Sequence, residues 1–134
     1  MPRKLRPYLA GPIAGCTDAE AADWRDAVTQ HYPRALNPMC RDYRVGDALA
    51  HMREIVELDK RDIRRSDCVL VRWDATKAST GTTMEVIYAW ENRVPVVLWI
   101  DPAVTLSPWL AYHSTFLVHT FVDAIDAVAK CGRK

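Results

Sequence analysis

The residues with the most chemistry in them lie between 68 and 85, CVLVRWDATKASTGTTME. A run of β-branched and apolar side chains at 68–73 has the composition of a buried strand. It opens into a loop of small residues and then into a helix whose first turn carries one carboxylate, Glu85. Ser79, Thr80, Gly81, Thr82 and Thr83 offer hydroxyls and unhindered main-chain N–H groups at that helix N-terminus, a setting that suits an anion. Loops at the carboxyl ends of parallel strands are where open α/β sheets bind ligands. A carboxylate just inside such a helix is a candidate nucleophile facing the same crevice. Its structural alternative is an acid that complements the helix dipole.

A second carboxylate stands out by position. The pattern at 47–65 predicts a long amphipathic helix. At 100° per residue Leu49, Met52, Ile55, Val56 and Ile63 share one face, and Arg53, Glu54, Glu57, Lys60, Arg61 and Arg64 take the other. Asp59 falls near the centre of the apolar face, where a bare charge is costly. Either backbone amides of a neighbouring loop satisfy it, or it is held there to orient a substrate or a proton donor. Asp62, at the margin of the stripe, is expected to be solvated.

These groups need a scaffold, and the rest of the chain alternates strand and helix. Residues 5–10 predict a first strand ended by Gly11-Pro12. Thr17 or Asp18 caps a helix running to about Tyr32, with Trp24, Ala27, Val28 and His31 on one face. Residues 35–37 predict a short second strand ended by Pro38. After the loop MCRDYRVGD, the long helix and the strand at 68–73, a helix follows at 82–92. Residues 95–100 form a continuous apolar run of the kind buried on both faces. Ser107-Pro108-Trp109 has the capping serine and first-turn proline of a short helix. A fifth strand at 115–119 and a helix at 121–130 close the chain. This alternation implies one α/β domain over 1–134 with a parallel sheet and right-handed crossovers.

Composition narrows the function classes. The 134 residues are 49% hydrophobic and 26% charged, with a formal net charge of +1, so no global field points to a nucleic-acid polymer or a membrane surface. No apolar run reaches the ~20 residues of a membrane span. The opening MPRKLRPYLAGPIAG is too short in its apolar part, and too broken by proline, for a signal peptide. A cytoplasmic protein is expected. Cys16, Cys40, Cys68 and Cys131 are scattered, and His31, His51, His113 and His119 form no ligand spacing. No metal and no cofactor is expected.

YLAGP at 8–12, Asp59, a strand ending in Asp74, and STGTTME at 79–85 followed by Tyr88-Ala89 together resemble the nucleoside 2-deoxyribosyltransferase family. The site pattern is nearest to its branch of 2'-deoxynucleoside 5'-monophosphate N-glycosidases, and the likeness spans about residues 7–100. The resemblance implies a flavodoxin-like (Rossmann-like) three-layer sandwich with a five-stranded parallel sheet. It implies that Glu85 attacks C1' of a deoxyribose to form a glycosyl-enzyme, that Asp59 serves the departing base, and that Tyr8 holds the Glu85 carboxylate. Gly11, Asp74, Gly81 and Thr82 are then expected to border a small-molecule nucleotide or nucleoside.

Ser79 bears on the substrate. The nucleoside transferases carry an Asp there for the sugar 5'-hydroxyl, and the monophosphate hydrolases a Ser that tolerates phosphate. Lys77 is a candidate counter-charge. Against this, the hydrolases place a Ser and an Arg where this chain has Pro12 and Ala14, leaving Arg41 or Arg44 to supply the lost charge. Trp73, Trp99, Trp109 and Tyr43 are candidates for stacking on a base or for the core. The family also implies a homodimer or higher oligomer, with Ser107, Trp109 or the C-terminus reaching into a neighbour's site. The expected function is hydrolysis of a deoxynucleoside monophosphate through Glu85. The alternatives are base exchange between deoxynucleosides, a ribonucleotide N-glycosidase, and a non-catalytic nucleotide-binding module.

Overall fold

The computed structural model describes residues 4–41 and 48–132. Four parallel strands lie side by side in chain order: β1 (Pro7–Ala10), β2 (Cys68–Arg72), β3 (Val96–Trp99) and β4 (Phe116–Val118). Their registers pair Tyr8 with Val69, Val69 with Val96, and Val97 with Phe116. Around them run α1 (Asp18–His31), α2 (Met52–Arg65), α3 (Thr80–Glu91), the short α4 (Pro108–Tyr112) and α5 (Phe121–Cys131). Strand residues alternate between two cores, as the pleat requires. Tyr8, Ala10, Val69, Val71, Val96 and Leu98 meet Ile63 of α2, Val86 and Ala89 of α3, and Leu110 of α4. Leu9, Cys68, Leu70 and Val97 meet Val28 of α1 and Ala124 and Val128 of α5. The fold is therefore a three-layer α/β sandwich.

Among the described residues the sheet has four strands, not five. At 35–37 a single parallel bridge joins Leu36 to Tyr8, where Leu36 N–H donates to the Pro7 carbonyl and Leu9 N–H to that of Leu36. Two prolines explain why the ladder stops there. The preceding rung needs an N–H on Pro7 and the following rung an N–H on Pro38, and proline has none. The Leu9 carbonyl left over by Pro38 accepts instead from Nε of Arg25, at 3.1 Å.

Helix α1 begins as expected. Thr17 Oγ1 accepts from Glu20 N–H at 3.1 Å and Glu20 Oε1 from Thr17 N–H at 2.9 Å, a reciprocal capping box. Its inward stripe is Ala21, Arg25, Val28 and Tyr32, whereas His31 is exposed. The long second helix is shorter than expected. Asp47 lies outside the described residues, Ala48–His51 is a 3-10 turn, and the α-helix runs from Met52. Only its C-terminal part packs on the sheet, so Ile63 is buried while Leu49, Met52 and Val56 are exposed. Asp62, expected in solvent, is buried, because Arg41 and Arg61 both donate to it.

Candidate active site

The site forms where β1, α2 and α3 converge. Tyr8 points into the α2/α3 core with no exposed surface, and its hydroxyl donates to Glu85 Oε2 at 2.6 Å. Helix α3 starts at Thr80, two residues earlier than expected, which places Glu85 in its second turn. Thr82, Glu85 and Ala89 follow the i, i+3, i+7 spacing of one helix face, and that face turns toward the sheet, with Thr82 and Ala89 buried.

This packing sets the charge state of Glu85. Burial pushes its carboxyl up from 4.5 to about 7; the Tyr8 hydrogen bond and the Arg25 charge oppose the shift, and the Asp59 charge adds to it. A carboxyl poised near neutrality in a cleft has the physical character of a reacting group. Burial, reinforced by Glu85 and Asp59, holds the Tyr8 phenol far above its ordinary value. Tyr8 is therefore a neutral donor at every working pH. Replacing it with Phe should raise the Glu85 midpoint further and lower kcat by about 10–100-fold, the worth of a hydrogen bond to a charged group. Carbon-13 titration and steady-state kinetics on the folded variant check this.

Asp59 comes from α2, as its place on the apolar stripe suggested. Among the described residues its partner is a side chain rather than the backbone amides considered for it. Arg41 Nη2, from the 3-10 turn Pro38–Arg41, lies 2.8 Å from Asp59 and 2.9 Å from Asp62. Burial lifts the Asp59 carboxyl above its ordinary value, Arg41 pulls it down, and Asp62 adds a smaller upward push. Burial would weaken the Arg41 charge, but its two carboxylates more than offset that.

Tyr8 stands behind a cleft of about 350 Å³ whose lining includes Gly11, Arg41, Asp59, Gly81, Thr82 and Glu85. The structure thus brings most of the expected residues together. Ser79 lies just before α3 and gives its main-chain carbonyl to Thr83, while its neighbours Ala78 and Thr80 line the cleft. Asp74 does not line it. Its carboxylate accepts from Thr76 N–H at 2.9 Å and Thr76 Oγ1 at 2.6 Å, a turn-closing arrangement. Trp109 is exposed on α4 and stacks on His113, away from the cleft of its own chain. Lys77 is paired with Glu20 at 3.2 Å. Arg44 and Tyr43 lie outside the described residues. Trp99 packs edge-on to Trp24 and Phe121 under the Arg72 guanidinium, a core role. A hollow of about 420 Å³ bordered by Trp90, Arg93, Pro95 and Thr115 sits at the opposite, amino-terminal end of the strands.

One residue beside the site escaped the sequence patterns. Arg25 is wholly buried and reaches the end of β1. Its signal was a lone cation inside the Ala21, Val28, Tyr32 stripe.

The sequence profile described as nucleoside 2-deoxyribosyltransferase matches residues 7–122. The chain belongs to the nucleoside 2-deoxyribosyltransferase family, and it is an enzyme of deoxyribosyl transfer or N-glycosidic cleavage. A solved 2-deoxyribosyltransferase from the psychrotolerant Bacillus psychrosaccharolyticus superposes with a TM-score of 0.76 at 14% identity, covering 90% of each chain. A conserved protein from Enterococcus faecalis V583 superposes with a TM-score of 0.68 at 14% identity, covering 96% of this chain and 99% of its own. Both likenesses concern the fold. No curated protein matches the sequence significantly. Among the described residues no helix is long and apolar enough to cross a membrane.

Proposed function

We propose that the enzyme cleaves the N-glycosidic bond of 2'-deoxynucleoside 5'-monophosphates through a glycosyl–Glu85 intermediate, with water as the acceptor. The observation that carries this is the 2.6 Å bond from buried Tyr8 to Glu85 in a cleft that also holds Asp59. Tyr8 fixes Oε2, which leaves Oε1 to attack C1'. The C1'–N bond breaks, its electron pair goes to the base nitrogen, and a proton from Asp59 completes the free base. Water then attacks C1', breaks the ester and releases deoxyribose 5-phosphate with the Glu85 carboxylate. Its remaining proton returns to Asp59. The raised Asp59 carboxyl suits an acid that is first a donor and then a base.

Ser79 supports the phosphate preference, since an Asp there would repel it. A second reading, base exchange between neutral deoxynucleosides, is favoured by the state of the nearby cations. Arg41 Nη2 is already shared by two carboxylates and Lys77 is taken by Glu20. Chromatography of deoxynucleosides, their 5'-monophosphates and the matching ribonucleotides, each with and without a second free base, separates the two. Release of base from monophosphates without an acceptor supports hydrolysis. New nucleoside formed only with added base replaces it with transfer.

The acid limb of the pH profile is fixed by Glu85, which must be ionised to attack. With a midpoint of about 7, kcat/KM for the free enzyme should rise roughly tenfold from pH 6 as Glu85 ionises, and fall again at higher pH where Asp59 loses the proton it must donate. A limb near 4.5 would mean that an ordinary carboxylate, not this one, limits the reaction.

A further inference from the structure

We propose that Arg25, which lies outside the cleft, is a positioning residue of the reaction: its guanidinium fixes the 9–11 turn that walls the cleft and supplies a buried positive charge that bears on Glu85. The inference rests on Glu85 being the reacting carboxylate. Arg25 is the largest side chain with no exposed surface. Its Nε donates to the Leu9 carbonyl at 3.1 Å, Nη2 to that of Gly11 at 3.0 Å and Nη1 to that of Ala21 at 2.6 Å. The first of these replaces the rung that Pro38 cannot make, so one side chain takes over the hydrogen bonding of the β1 terminus. Trp24 covers the guanidinium at 4.6 Å. The turn it grips is tightly set, since a Cβ on Gly11 would come 2.9 Å from the Trp24 ring and 3.2 Å from the Arg72 carbonyl. Gly11 itself lines the cleft.

The same charge acts on Glu85. Among the described residues, the groups that bear on its carboxyl are Tyr8 from β1, Asp59 from α2 and Arg25 from α1. Burial and Asp59 favour the neutral acid, and Arg25 favours the carboxylate that attacks. A guanidinium stays charged at every working pH. Its influence is therefore constant while Asp59 gives up and regains its proton.

The test is a carbon-13 titration of Glu85 in the wild type, Arg25→Lys and Arg25→Met, with kinetics alongside. Lys keeps the charge but cannot span three carbonyls, so KM should rise several-fold with the Glu85 midpoint nearly unmoved. Met removes both, so KM should rise and the midpoint climb by about half a unit or more, costing kcat/KM more at pH 6 than at pH 8. A midpoint unchanged in Met, or a KM unchanged in Lys, overturns the proposal. If neither variant folds, the wild type decides. The Arg25 nitrogen-15 signal should inflect at the Glu85 midpoint, and a flat signal overturns the coupling. These titrations do not depend on turnover. A Glu85→Gln enzyme of full activity would sink the proposed function while leaving them interpretable.

Discussion

Glu85→Gln should be a folded enzyme that turns over at least about 10³-fold more slowly than the wild type, with substrate binding little changed. Gln keeps an oxygen for the Tyr8 hydroxyl and the shape of the side chain, so what it lacks is the negative charge that bonds to C1'. The same substitution has an opposite effect on stability. The Glu85 carboxyl moves from 4.5 to about 7 on folding, so between these values the folded protein holds a proton that the unfolded chain releases. The resulting stabilisation is complete below about 4.5 and is lost as pH rises through 7. At 1.36 kcal/mol per unit the charged form costs up to about 3 kcal/mol, and less after allowing for its partial exposure. Glu85→Gln should therefore unfold at higher denaturant than the wild type at pH 8 and at nearly the same denaturant at pH 4. Equal stability at both would contradict the burial of a charge; undiminished turnover would remove Glu85 from the chemistry.

The second large effect is expected at Arg41. Arg41→Met should destabilise the fold by about 3 kcal/mol at neutral pH, or roughly 10 °C in Tm for a chain of this size. Arg41 is 13% exposed and neutralises Asp59 and Asp62, themselves 18% and 8% exposed. Asp62 keeps Arg61 at 3.1 Å, so the cost falls mainly on Asp59, left buried with a like charge beside it. Adding Asp59→Asn should restore much of the loss, because removing the whole charge set costs less than breaking it. The loss should also fade toward acid, as the carboxylates protonate. A double variant no more stable than Arg41→Met would mean that Arg41 acts through packing alone.

Most of the scaffold was legible because strand and helix periods differ and punctuation was strong. Pro12, Pro38 and the capping threonine and serine placed turns and helix starts within a few residues. The second strand failed for a reason no local pattern contains. Whether residues 35–37 extend depends on which N–H groups face the neighbouring strand, and that requires the Leu36–Tyr8 register. Asp62 failed similarly, since its partner Arg41 is 21 residues away and helical periodicity sees only the helix. At the site, Asp59 betrayed itself by breaking an apolar stripe. Arg25 broke one too, but a long side chain within a helix passes easily for a solvated one. Asp74 showed the converse, because a carboxylate at a strand's end is as readily spent on closing its own turn.

The pair of prolines beside β1 also bears on how the molecule behaves in a crowd. An open strand edge is a template on which another chain can add a strand. Beyond β1 the flanking segment offers almost no length to copy. Two of its outward groups are already turned to local partners: Ala35 N–H donates to the Tyr32 carbonyl, and the Asn37 carbonyl accepts from Cys40 N–H. A fifth strand would have enlarged the sheet and left a longer adhesive margin. Its truncation leaves this flank ill-suited to edge-to-edge aggregation.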